Sequence, residues 1–149
     1  MSTILITGAS GGLAQEMVKL LPNDQLILLG RNKEKLAQLY GNHPQAELIE
    51  IDITDAQALE ELVAELYLRY GKIDVLINNA GYGIFEDFDK ISNQDIHQMF
   101  EVNTFALMNL SRLVAARMKE MRKGHIVNIV SMAGLIATAK SSLYSATKF

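Results

Sequence analysis

Apolar residues gather in five short runs along the chain: TILIT (3–7), QLILL (25–29), ELIEI (47–51), DVLIN (74–78) and HIVNIV (125–130). Most are near-continuous in Ile, Leu and Val, which is how strands buried on both faces read. Between the runs the spacing becomes helical. Leu59, Leu62, Val63, Leu66, Tyr67 and Tyr70 form one stripe, with Thr54 and Gln57 spaced as a capping box before it and Gly71 as its stop. A longer stripe through Ile96, Phe100, Leu107, Leu110 and Val114 predicts a helix over 93–123, capped by Ser92 with Asp95 and ended by Gly124. Segments 12–21 and 33–40 read as shorter helices, and another begins at Ser142. Strands alternating with helices predict βαβ units and a doubly wound α/β fold with a parallel sheet covered on both faces. No repeat, linker or low-complexity segment interrupts the pattern, so 1–149 reads as one domain.

In open α/β sheets a ligand sits beyond the carboxyl ends of the strands, so the residues just after each run are the ones to read. TGASGGLA (7–14) follows the first run. Glycines there let the backbone approach a phosphate, and the following helix N-terminus offers free N–H groups to it. Gly30, Arg31 and Asn32 follow the second. An acid at this place suits the ribose hydroxyls of NAD, whereas arginine suits a 2′-phosphate; an ordinary surface arginine at a helix start is the other reading. Asp52 and Ile53 follow the third run, where Asp52 either accepts from an adenine amino group or shapes the turn. NNAGYG (78–83) follows the fourth, a turn of small residues that lets a ligand pass close.

Three polar positions complete the candidates. Asn103 falls on the apolar stripe of the long helix, where a buried amide needs hydrogen bonds; it serves either as structural glue or in a polar relay. Ser131 stands at the carboxyl edge of the fifth run, where serine also commonly caps a turn. Tyr144 and Lys148 sit four apart and share a helix face. A nearby ammonium favours phenolate and lowers a tyrosine pKa, although the same spacing also occurs in plain surface contacts.

Composition narrows the partners. The net charge is −3 with no long basic segment, so a nucleic-acid footprint is absent. There is no cysteine, and His43, His97 and His125 are scattered, so no metal centre is expected. The start lacks the basic and apolar regions of a signal peptide, and no run reaches membrane-spanning length; a soluble cytoplasmic protein with no membrane contact is expected.

Taken together, TGxxxGxA at 7–14, NNAG at 78–81, Asn103, Ser131 and YSATK at 144–148 resemble the short-chain dehydrogenase/reductase family, in order along the whole chain. The resemblance implies a Rossmann-like sheet in the order 3-2-1-4-5 and an oxidoreductase that moves a hydride between NADP(H), or alternatively NAD(H), and an alcohol or carbonyl substrate. It implies Tyr144 as general acid/base, Lys148 as the group that lowers its pKa and holds the nicotinamide ribose, Ser131 as the residue orienting the substrate oxygen, and Asn103 in a water-linked proton path. It implies cofactor contacts from Gly8, Ser10, Gly12, Leu13, Arg31, Asp52, Ile53, Asn79, Ala80, Gly81, Tyr144 and Lys148, and a homo-oligomer, often through the long helix. Ala14 departs from the family's third glycine, and the turn can also be read as GxxGxxA at Gly8, Gly11 and Ala14, which looks like the extended branch; NNAG and the spacing of Ser131 and Tyr144 favour the shorter dehydrogenase/reductase branch. Family members continue past the YxxxK segment, so the expectation is a fragment lacking the C-terminal strands, with HIVNIV as a bare edge. A catalytically incomplete nucleotide-binding fragment is the alternative to an active enzyme, and a structural protein that merely retains the fold is a third.

Overall fold

The apolar runs assemble into one sheet of five parallel strands. The computed structural model describes residues 1–149, with β1 (Thr3–Ile6), β2 (Gln25–Gly30), β3 (Ala46–Glu50), β4 (Val75–Asn78) and β5 (His125–Asn128) in the order β3-β2-β1-β4-β5. Register runs Ile4 to Leu26 and Val75, Leu28 to Leu48, and Leu76 to Ile126. The three inner strands are buried almost throughout, while β3 and β5 at the edges are partly open. Continuous apolar runs thus mark the strands covered on both faces, as expected.

Helices α1 (Gly12–Lys19), α2 (Lys33–Tyr40) and α3 (Ala56–Tyr70) fill the crossovers. Alternate residues of the central strands point to opposite faces. Ile4, Ile6, Leu26 and Leu28 pack with Ala14, Val18, Leu36 and Tyr40 of α1 and α2. Leu5, Ile27, Leu29 and Leu76 pack with Leu59, Val63 and Leu66 of α3 and with Leu110 and Val114 of the long helix. Ala14 is fully buried in the first of these layers, so the departure from glycine is absorbed by close helix–sheet packing.

Local details differ from the sequence expectations for identifiable reasons. Thr54 does not cap α3: its hydroxyl is drawn back to Asp52 Oδ1 at 2.7 Å, and Asp55 takes the cap by accepting from Ala58 N at 3.0 Å. Gln57 donates to Glu61 instead of reaching back. The stretch 93–123 is not one regular helix. It comprises α4 (Asn93–Phe100), a π-helical turn at Glu101–Phe105 and α5 (Ala106–Met121). The widened turn shifts the inward face, so Met99, Asn103, Ala106, Leu110, Val114 and Met118 are buried while Ile96, Phe100 and Leu107 are only partly so. Ser92 caps α4 as the spacing requires, accepting from Asp95 N at 3.0 Å. α5 ends three residues before Gly124, with Arg122 in the left-handed region at φ 52°. The last element is α6 (Ser142–Lys148).

Asp74 ties the lower end of the sheet together. Its Oδ2 accepts from Thr3 N at 2.9 Å and meets Lys72 Nζ at 2.7 Å, and its side chain is 11% exposed. Burial raises its pKa, but Lys72, the Thr3 N–H and Lys123 together outweigh burial and hold it below the ordinary carboxylate value. Stability from a depressed carboxylate is complete above the unfolded-state pKa and is lost as pH falls through the folded-state value. Asp74→Asn is therefore expected to cost about 1–3 kcal/mol at neutral pH. In urea titrations the gap between variant and parent should narrow below about pH 4; a gap that stays constant down to that range would remove the ionised carboxylate from the account.

Candidate active site

The loops at the carboxyl edge of the sheet enclose a cleft of about 350 Å³. Its floor is the turn after β1. Gly8 holds φ +62°, and a Cβ there would lie 2.7 Å from Ala80 Cα, so only glycine lets the turns after β1 and β4 meet. Thr7 fixes the same junction, its hydroxyl accepting from Asn79 N and Ala80 N, each at 3.0 Å. Asn79 Nδ2 returns two hydrogen bonds, to the carbonyls of Thr7 and Gly8. Gly11 caps α1 without a side-chain hydrogen bond, and a Cβ at Gly12 would meet open space. The first N–H groups of α1 thus border the cleft.

Gly8, Ser10, Gly12, Leu13, Arg31, Asp52, Ile53, Asn79, Ala80 and Gly81 all line this one cleft, together with Tyr82 and Val102. Arg31 is exposed and makes no ion pair with any carboxylate of the chain. Asp52 shapes its own turn: Oδ1 accepts from the Thr54 hydroxyl and from Thr54 N at 2.9 Å. These two bonds, aided by the charge of Arg31, hold its carboxyl below the ordinary value despite some burial.

Behind Gly81 and Tyr82 of the lining stands Asn103, 2% exposed, on the π turn; it does not line the cleft itself, nor do Tyr144 and Lys148. Its Oδ1 accepts from Tyr82 N at 3.0 Å, and its Nδ2 donates to Tyr82 O at 2.8 Å and to Thr147 Oγ1 at 2.9 Å. Thr147 Oγ1 donates in turn to Tyr144 O at 2.8 Å. Widening the helix by one residue is what turns this amide inward between two loops. Lys148 reaches the same place. Its Nζ donates to Ile129 O at 3.2 Å, and a Cβ on Gly81 would lie 3.1 Å from that Nζ and 3.2 Å from Asn103 Oδ1. Gly81 is the gap through which lysine and asparagine approach each other. Tyr144, one turn earlier on α6, has its ring against Phe85, with centroids 5.3 Å apart and planes at 57°. Its hydroxyl makes no hydrogen bond within the chain.

Ser131 lies three residues beyond β5, which ends at Asn128 and not at Val130. Ile129 N still donates to Asn78 O, but the Ile129 carbonyl is taken by Lys148. Ser131 caps a short 3₁₀ turn, Met132–Gly134, by accepting from Ala133 N at 3.1 Å. That turn packs on α6 so tightly that a Cβ at Gly134 would meet Lys148 O at 2.3 Å. The serine's acceptor lone pair is thus partly used and its proton is left for an outside oxygen.

A family model described as short chain dehydrogenase matches residues 2–149. The chain belongs to the short-chain dehydrogenase/reductase family. Among curated relatives, ketoacyl reductase HetN of a Nostoc species is 38% identical across 98% of this chain. The match takes in 53% of that relative, so the chain spans about half the length of the curated relatives it matches. A solved short-chain dehydrogenase from Streptomyces avermitilis superposes with TM-score 0.93 at 34% identity, covering 99% of this chain and 55% of the other. A gluconate 5-dehydrogenase from Burkholderia cenocepacia in complex with NADP and tartrate superposes with TM-score 0.90 at 28% identity, covering 99% and 60%.

In this short-chain dehydrogenase/reductase chain, some residues shaping the site lie inside the sequence motifs without standing out there. Thr7 and Thr147 act through hydroxyls at what look like ordinary strand and helix positions. Tyr82 lines the cleft, and its phenol is pushed up by burial and by Asp95, against a smaller opposing effect of Arg31. Val102, on the π turn, borders the cleft. No helix is long and apolar enough to cross a membrane.

Proposed function

We propose that the protein is an NADP(H)-linked oxidoreductase that interconverts an alcohol with its ketone or aldehyde. The observation that carries this reading is the convergence of Asn103 and Lys148 at the Gly81 gap in the lining of a glycine-floored cleft, with Tyr144 one helical turn away. The lining suits the phosphates and ribose of a dinucleotide. Gly12 lines the cleft where an added Cβ would meet nothing of the chain, which leaves its backbone open to a phosphate, and the uncapped start of α1 supplies donors to a pyrophosphate. Arg31, unpaired at the far side, supplies a guanidinium for a 2′-phosphate. When bound, the nicotinamide supplies or accepts the hydride.

The chain's own residues handle the proton. In the reducing direction the Tyr144 phenol would give its proton to the carbonyl oxygen, yielding the alcohol, with the hydride for the carbonyl carbon coming from a reduced nicotinamide. Ser131 donates a hydrogen bond to the same oxygen and orients it. Lys148 favours the phenolate left behind and anchors the ribose, and Asn103 positions the lysine's surroundings through Tyr82 and Thr147. A homo-oligomer through α5 is supported by Phe105 and Met108, 52% and 60% exposed at its start. A nucleotide-binding module without turnover is the second reading for these 149 residues, favoured by their spanning about half of the matched relatives.

Carbonyl-dependent oxidation of NADPH by the product of the whole reading frame tests the reading. In the 149-residue chain, binding titrations are expected to give NADPH an affinity at least about tenfold above NADH, the contribution of one charge-assisted contact. Arg31→Asp should reverse that order. Equal affinities in the unmutated chain would refute the role of Arg31.

A further inference from the structure

We propose that Phe85 is the substrate-selecting wall of the site, and that it selects carbonyl compounds whose substituent beside the reacting carbon is apolar, an aliphatic chain or an aromatic ring. This rests on the oxidoreductase reading and names its substrate class. Phe85 lies on the loop between β4 and α4, 60% exposed, with one side of its ring set against Tyr144 at a centroid distance of 5.3 Å. The tilted arrangement is one that aromatic pairs favour. The ring's other side faces outward, next to the residue that exchanges the proton.

The placement is built in. Both backbone groups of Tyr82 are held by Asn103, and Glu86 N donates to Lys140 O at 3.1 Å. Residues 83–85 therefore form a short bridge between two pinned points and pass over the Tyr144 ring. Gly83 makes the passage possible: a Cβ there would lie 2.7 Å from Phe85 Cε2 and 3.1 Å from Tyr144 Cδ2. Lys140 holds the outer anchor in the left-handed region at φ 60°, with its Nζ 3.7 Å from Glu86 Oε1 and from Asp87 Oδ1.

Charge decides the chemistry of the occupant. Lys140 is engaged with Glu86 and Asp87, and Lys90 pairs with Asp87 at 2.9 Å, so the cations beside Phe85 already have partners. The cations of its own loop and of the outer anchor are thus paired, which disfavours a carboxylate or phosphate on this side. The turn after Ser131 carries exposed Met132, and Ile136 just beyond it is exposed as well. An apolar substituent covering the Phe85 ring gains by leaving water, and each added methylene contributes until the wall is covered.

Steady-state kinetics of the product of the whole reading frame with NADPH and unbranched methyl ketones of increasing length test this. The parent is expected to gain about threefold in kcat/KM per methylene over the first few steps. Phe85→Ala should flatten that dependence, with the loss carried by KM and growing with chain length, and Phe85→Leu should restore most of the slope. Loss of kcat by one factor for every ketone, or an unchanged slope in Phe85→Ala, would overturn the inference while leaving the oxidoreductase reading intact. Absence of reduction of any carbonyl by the parent, despite NADPH binding, would overturn the oxidoreductase reading itself, and this inference with it.

Discussion

Tyr144→Phe is expected to lower kcat for carbonyl reduction by about 10²–10⁴-fold, the usual contribution of a positioned general acid. The variant should fold as the parent does and bind NADPH with nearly the same affinity. The reason is local. The Tyr144 hydroxyl has no hydrogen-bond partner in the chain, so removing it orphans nothing. The ring contact with Phe85 and the bond from Thr147 to the Tyr144 carbonyl do not involve the hydroxyl and persist. Rates from the product of the whole reading frame, together with a cofactor titration, measure both expectations. Turnover near that of the parent would mean that the proton comes from another group, with Ser131 the first to examine.

Asn103→Ala is expected to destabilise the fold by roughly 3 kcal/mol, because it strands the N–H and carbonyl of Tyr82 and removes a partner of Thr147 in a buried place. For a domain of this size that corresponds to a fall in Tm of roughly 6–12 °C. The loss should extend beyond stability. With Tyr82 released, the turn that brings Gly81 beside Lys148 loses its inner anchor. NADPH affinity should therefore drop as well, and more steeply than in Tyr144→Phe. Thermal unfolding with and without NADPH separates the two effects. A change of less than about 1 kcal/mol would mean that water or a neighbouring group replaces the amide.

Much of this was legible in the chain, for reasons that can be named. The parallel α/β fold and the glycine-lined edge follow from continuous apolar runs, helical stripes between them and turn residues at each carboxyl end, all of which are local signals, whereas the strand order came from the family resemblance. Asn103 stood out because an amide on an apolar stripe demands partners. Its partners did not stand out: the backbone of Tyr82 comes from the loop after β4 and the hydroxyl of Thr147 from α6, and the π turn that carries Asn103 leaves no mark in a period-3.6 pattern. The same turn explains why Ile96, Phe100 and Leu107 are less buried than their spacing suggests. Competition between neighbouring polar groups explains the capping error at α3, since Asp52 takes the Thr54 hydroxyl and leaves the cap to Asp55. The role of Phe85 depends on Gly83 and Lys140, two residues from different loops, and contacts of that kind are written in tertiary structure alone.

The most direct test of the central claim follows the hydride itself. NADPH carrying deuterium at the transferable position of its nicotinamide ring is incubated with an apolar methyl ketone and the product of the whole reading frame, and the product is read by mass spectrometry. The account predicts an alcohol bearing that deuterium on its carbinol carbon, formed by the parent and nearly absent with Tyr144→Phe. Unlabelled alcohol, or no alcohol from a parent saturated with NADPH, would contradict it.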